Sequence, residues 1–190
     1  MTLTSTLRVA AALSAAVFGT SAMADQALIA AQSDIQFTAK QLGVPVSGHF
    51  KQFDAQVKFD PAQLASSSIH FTVEMGSATM GSKETDSNLL SADWFNSAQF
   101  PKATFDSSSI RSLGNGKFQV DGALRIKGHS QPISVPVQLT QSGTTTTATG
   151  QFPLQRLPFK VGDGDWADTS MVANEVTVQF KLALSGIDKL

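Results

Sequence analysis

The residues of this 190-residue chain whose types could do chemistry fall into a few small groups. Three histidines, His49, His70 and His129, could ligate a metal or move a proton. Their spacing gives no pair of ligands; two lie on outward strand positions and His129 lies in a turn, so surface histidine is the better reading. Gly162-Asp163-Gly164-Asp165-Trp166-Ala167-Asp168 superficially suggests a calcium loop, but lacks the third regularly spaced oxygen ligand and the distal Glu of such loops. It reads better as a glycine-rich loop that positions Trp166. Asp86 and Asp93 are carboxylates that could serve as acid or base. The serines form no Gly-x-Ser-x-Gly nucleophile elbow, and a chain without cysteine has neither thiol chemistry nor a disulfide framework. No metal site and no cofactor site is expected.

These groups sit on a sequence dominated by period-two alternation, the signature of half-buried strands. Ile35, Phe37 and Ala39 alternate with polar neighbours. Val46, Gly48 and Phe50 share one parity, then Phe53, Ala55, Val57 and Phe59 take the other, which predicts a β-bulge near Lys51-Gln52 in one long bent strand. Ile69, Phe71, Val73 and Met75 give a third strand. Ala103 and Phe105 begin a fourth, and Gly114-Asn115-Gly116 turns the chain into Phe118, Val120, Gly122, Leu124 and Ile126. Ile133 to Leu139, Thr146 to Leu154 and Val176 to Leu184 complete eight strands. Pro136 and Pro153 cannot donate ladder hydrogen bonds and predict a local break between strands six and seven.

Only Gly81 to Phe105 abandons the alternation. Leu89-Leu90, Trp94-Phe95 and Phe100-Pro101 predict short helices, one capped by Ser82 and a second by Ser91, packed on one end of the β structure. The segment reads as a helical lid between strands three and four, or as an ordinary crossover. Polar outward faces exclude an outer-membrane barrel, and the bend with its bulge favours a closed barrel over a sandwich. The fold class expected is all-β, an eight-stranded antiparallel barrel. Among the strands, no Asp, Glu, Lys, Arg or His lies on the inward parity, so acid/base or nucleophilic work inside has no side chains to carry it. Gly48, Ala55, Ala103, Gly122, Ala148 and Gly150 point inward among large residues, which tilts an eight-stranded barrel toward an apolar cavity. The alternative is that they relieve crowding at bends.

Residues 1–24 combine Arg8, an apolar run from Val9 to Phe18 and Ala22-Met23-Ala24, and are expected to be a cleaved secretory signal; the run is too short to span ~30 Å of hydrocarbon. Residues 25–190 then form one domain. Without Arg8 the formal net charge of −1 becomes −2, with no basic run, which leaves nucleic acid no electrostatic footprint.

The ordered set of motifs resembles the YceI-like family of secreted polyisoprenoid-binding proteins. It comprises Val46-Ser47-Gly48-His49-Phe50 with Phe53-Asp54, Phe59-Asp60-Pro61, the lid run from Thr85 to Phe105, Gly122 with Ile126-Lys127-Gly128, and Gly162 to Trp166. Thr85, Asn88 and Gln41 depart from the Arg, His and His that the family often carries. The resemblance implies an extended lipocalin-like barrel whose pore holds an isoprenoid chain such as a quinone or polyprenyl alcohol. It also implies a periplasmic binding, transport or sequestration role, and no enzyme activity. On that reading Phe37, Phe50, Phe71, Phe118 and Phe180 line the tube, joined by Met75 and Phe105. Leu89, Leu90, Trp94 and Phe95 close one end, and Trp166 is a further ligand-binding residue. The alternatives are an enzyme that acts on such a lipid through Asp86 or Asp93, and a stress-related protein with a filled core. A homodimer and a peripheral membrane contact are compatible with either.

Overall fold

The computed structural model describes residues 26–190, so the expected signal segment, residues 1–24, lies outside the described residues. The described residues form eight antiparallel strands that close into a barrel, with one short α-helix. Strand β1 comes in two segments, Ala27–Leu28 and Asp34–Gln41, and β2 in two, Val44–Phe50 and Phe53–Lys58. The remaining strands are β3 (Ser68–Glu74), β4 (Lys102–Gly114), β5 (Lys117–Ile126), β6 (His129–Ser142), β7 (Thr145–Gln155) and β8 (Glu175–Ser185). Each pairs with its neighbour in sequence, and β8 returns to β1 through Phe180↔Ile35 and Leu184↔Leu28. Closure at the far end is thin. Ala27↔Gln56 is the one pair between the first segment of β1 and β2. The Gln26 side chain extends it, accepting from Phe59 N–H at 2.7 Å and donating to Phe59 O at 2.8 Å.

The bulge in β2 falls where the hydrophobic parity changes. Gly48 is buried and Phe50 half-buried, then Phe53, Ala55, Val57 and Phe59 turn inward after Lys51 and Gln52 leave the ladder. One inserted residue thus keeps both apolar sets on the inner face. The barrel has a plugged end and a lid end. Phe59, Ile110, Phe118, Val120, Leu139, Ala148, Leu184 and Ile187 pack together at the plugged end, with Phe59 set edge-on to Phe118 at 5.3 Å. The lid end carries helix α1 (Lys83–Leu90), whose Leu89 is buried against Phe37 and Ala78. Residues 92–95 form turns, so the second helix expected after Ser91 does not form; Ser91 ends α1 instead. Trp94 N–H and Asn96 N–H both return to Ser91 O, which is too tight a path to continue a helix.

The inward glycines do not hold space open, contrary to the expectation from the sequence. Phe37 lies across from Gly48, Phe180 across from Gly150, and Phe105 leans over Gly122, so a Cβ at any of the three would overlap a ring. Aromatic side chains from the neighbouring strand cover these glycines and seal the wall. At Gly150 a Cβ would also overlap the backbone oxygen of Pro136, which cannot move aside as a side chain does. Gly150→Ala is therefore expected to lower stability by ~1–3 kcal/mol, read by urea denaturation; an unchanged midpoint would show that the wall yields there.

Candidate functional site

Inward side chains from all eight strands enclose a cavity of about 280 Å³ whose exposed wall is wholly apolar. Strand alternation supplies most of it: Ala55, Val57, Phe71, Ala103, Val135 and Ala148 are examples. Of the twelve side chains expected at a binding site, ten line this cavity: Phe37, Phe50, Phe71, Met75, Leu89, Trp94, Phe95, Phe105, Phe118 and Phe180. Two do not. Leu90 is half-buried on the neighbouring face of α1, because successive helical residues lie about 100° apart and only Leu89 can face the mouth. Trp166 packs behind Trp94 with its ring tilted by 52° and the centroids 5.5 Å apart, and so supports the lid from outside the cavity.

The lid is held by polar contacts that keep its polar atoms away from the cavity. Ser82 starts α1 but makes no side-chain cap. Asp86 reaches back from the first turn instead, accepting from Met80 N–H and the Thr79 hydroxyl, each at 2.7 Å. These two donors, the hydroxyl first, hold its carboxyl below the usual carboxylate range. The stabilisation is present above the ordinary carboxylate pKa and is lost as the pH falls through the lowered one. Asp93 contributes its carbonyl, which accepts from Gly162 N–H and Asp163 N–H at 2.9 Å each and ties the lid to the 156–173 loop.

Arg156 is the residue the strand pattern missed. Its side chain is 3% exposed and reaches the cavity's lid end, although it follows directly on the end of β7. All five guanidinium N–H groups find backbone carbonyls: Nε donates to Ala173 O, Nη1 to Val161 O and Gly162 O, and Nη2 to Trp166 O and Val172 O, at 2.6–3.0 Å. Its Cζ lies 5.9 Å from the centre of the Trp94 ring. No carboxylate takes part in this set of bonds, and burial lowers the pKa while the group stays charged. Lys127 lies nearby, with Nζ donating to Lys160 O at 2.7 Å. Burial also lowers its pKa, and Asp163 and Asp93 oppose that shift.

The histidines sit on the outer wall. His49 pairs with Asp34 at 3.1 Å and His70 with Asp106, both pairs exposed. Among the described residues no group of three His, Asp or Glu could hold a metal ion, and no helix is long and apolar enough to cross a membrane. The Gly162–Asp168 loop is shaped from its centre by Arg156, whose Nη1 takes the Gly162 carbonyl.

Comparison with known proteins bears on this site. The family model for the YceI-like domain matches residues 27–184. Burkholderia cenocepacia BcnA, a solved structure, is 42% identical, superimposes with a TM-score of 0.79, and the match covers 82% of this chain and 98% of that one. A Campylobacter jejuni YceI protein shares the fold at 21% identity and a TM-score of 0.66, over 75% of this chain and 85% of its own. A Saccharophagus degradans domain described as polyisoprenoid-binding does so at 15% identity and 0.67, over 85% and 98%. A UPF0312 protein of Vibrio cholerae is 32% identical over 114 residues, a stretch that spans 60% of this chain and 60% of the relative.

Arg156→Met is expected to leave several carbonyls without donors and to cost on the order of 3 kcal/mol. Arg156→Lys should recover little of it, because an ammonium has three donors and no planar fork. Thermal and urea melts check both; a loss below about 1 kcal/mol in the methionine variant would show that water replaces the guanidinium without cost.

Proposed function

This chain belongs to the YceI-like family, and from that premise we propose that it takes one long apolar lipid chain of the isoprenoid type into the barrel and carries or sequesters it in the periplasm. The observation that carries the reading is the wholly apolar wall of the cavity inside a closed barrel. Removing an apolar chain from water contributes ~0.8 kcal/mol per methylene before ordering costs, so a few isoprene units supply micromolar binding. The cavity lies just below the ~300–1,000 Å³ usual for ligand sites, which favours a slender chain over a bulky ring system. The likeness to a domain described as polyisoprenoid-binding supports the same ligand class. The expected signal segment supports the compartment.

The enzyme alternative relied on Asp86 or Asp93. Asp86 is committed to Thr79 and Met80 and is kept ionised, which suits a structural anchor better than a general acid. Asp93 is exposed on the outer side of the lid. The remaining alternative, a filled core, is at odds with the open volume between the plugged end and α1.

Ala148 is buried and lines the cavity where it meets the plugged end, so a larger side chain there takes up ligand volume. Ala148→Leu is expected to weaken uptake of a fluorescent geranylgeraniol by about tenfold or more, while costing no more than ~1–3 kcal/mol of stability. Wild-type protein that takes up none of this probe would refute the proposal.

A further inference from the structure

One seam of the barrel lacks a hydrogen-bonded ladder along half of its length. Strands β6 and β7 are 14 and 11 residues long, yet they pair only from Ser142↔Thr145 to Gln138↔Thr149. Beyond that point, toward the lid end, Pro136 to His129 and Gly150 to Gln155 run side by side without a ladder.

The cause can be read from which way the backbone points. Leu139 N–H donates to Gly116 O, on the β5 side. With a period of two, the nitrogens of Pro136, Ser134 and Pro132 therefore face β7. Arg156 N–H donates to Asn174 O on the β8 side, so the nitrogens of Gln155, Pro153 and Gln151 face β6. Of these six facing positions, three are prolines with no hydrogen to give. The same prolines deny this edge to a foreign strand, which argues against a docking site for another chain's β-strand.

What flanks the seam is part of the cavity. Ile133 and Val135 on one side, and Phe152 and Leu154 on the other, line it from within. Separating fully paired strands, such as β7 and β8, breaks ladder hydrogen bonds, each worth ~0.5–1.5 kcal/mol, whereas along this half-seam no residue pair is in register and three donors are missing. Helix α1 sits away from it, seated on the Phe37 and Ala78 side.

We propose that the half-seam between β6 and β7 is a lateral portal, through which the apolar ligand enters and leaves while α1 and the Trp94–Trp166 pair stay in place. The inference rests on the lipid-binding reading above and adds the route. Continuing the register places Ser134 opposite Pro153. Since the chain has no cysteine, Ser134→Cys with Pro153→Cys creates a single possible cross-link.

The test loads the protein with geranylgeraniol carrying a nitrobenzoxadiazole tag and follows its transfer to phosphatidylcholine vesicles by stopped-flow fluorescence. The oxidised double variant should release the probe about tenfold more slowly than the same protein reduced with dithiothreitol, the equivalent of roughly one added ladder bond. The amount bound at equilibrium should not change. Should the cross-link fail to form, Pro132→Thr with Pro136→Thr and Pro153→Thr restores three donors. It should protect the new amides from hydrogen exchange and slow transfer likewise. Equal rates in oxidised and reduced protein, or in a triple variant with protected amides, overturn the portal alone. Wild-type protein that takes up no probe overturns the binding reading and the portal with it.

Discussion

The lid end depends on one buried cation that has no counter-ion among the described residues. Arg156 leaves β7 and turns inward, and the chain from Val161 to Ala173 wraps around its guanidinium, offering five carbonyls to five N–H groups. A planar fork with fixed donors can do this, whereas a point charge cannot. The loop therefore needs no core of its own; a single side chain organises it. From this follow the seat of Trp94, whose ring lies beside the guanidinium, and of Trp166 behind it. The attachment of the lid at Asp93 follows as well, because Gly162 presents its carbonyl to Arg156 and its N–H to Asp93. With every donor engaged, the arginine reaches the cavity's end without presenting a polar atom to it. A charge thus closes a greasy tube and leaves it greasy.

The wall obeys a complementary constraint. A closed barrel has no edges to protect, so any break in its ladder must be built in. Here the break coincides with Pro132, Pro136 and Pro153, whereas β7 and β8 pair over eleven residue positions without interruption. The glycines work in the opposite sense, since they let phenylalanine rings lie flat across the neighbouring strand and seal it. Glycines in this barrel mark tight places, and prolines mark where the ladder stops.

Much of this was legible in the sequence, for reasons of periodicity. Alternation of two located all eight strands, and the switch of parity between Phe50 and Phe53 located the bulge at Lys51-Gln52. Pro136 and Pro153 announced the broken ladder because a missing N–H is a property of the residue itself. What escaped was whatever depends on a neighbour remote in sequence. Gly150 is explained by Phe180 and Pro136, thirty and fourteen residues away. Arg156 stands in a stretch without periodicity, and its partners are backbone carbonyls, which leave no trace in residue types. Ser91 looked like a cap, yet capping signals are weak against the tertiary demand that residues 92–95 turn back under Trp94.

The central claim, that the barrel holds an apolar lipid chain, is tested most directly by what the protein carries when isolated. Mass spectrometry of an organic extract, made from protein purified without detergent from its native host, reads this out. The account predicts one class of long-chain isoprenoid lipid in an amount comparable to the protein. An extract free of any such lipid, from protein that also refuses an added isoprenoid, would contradict it.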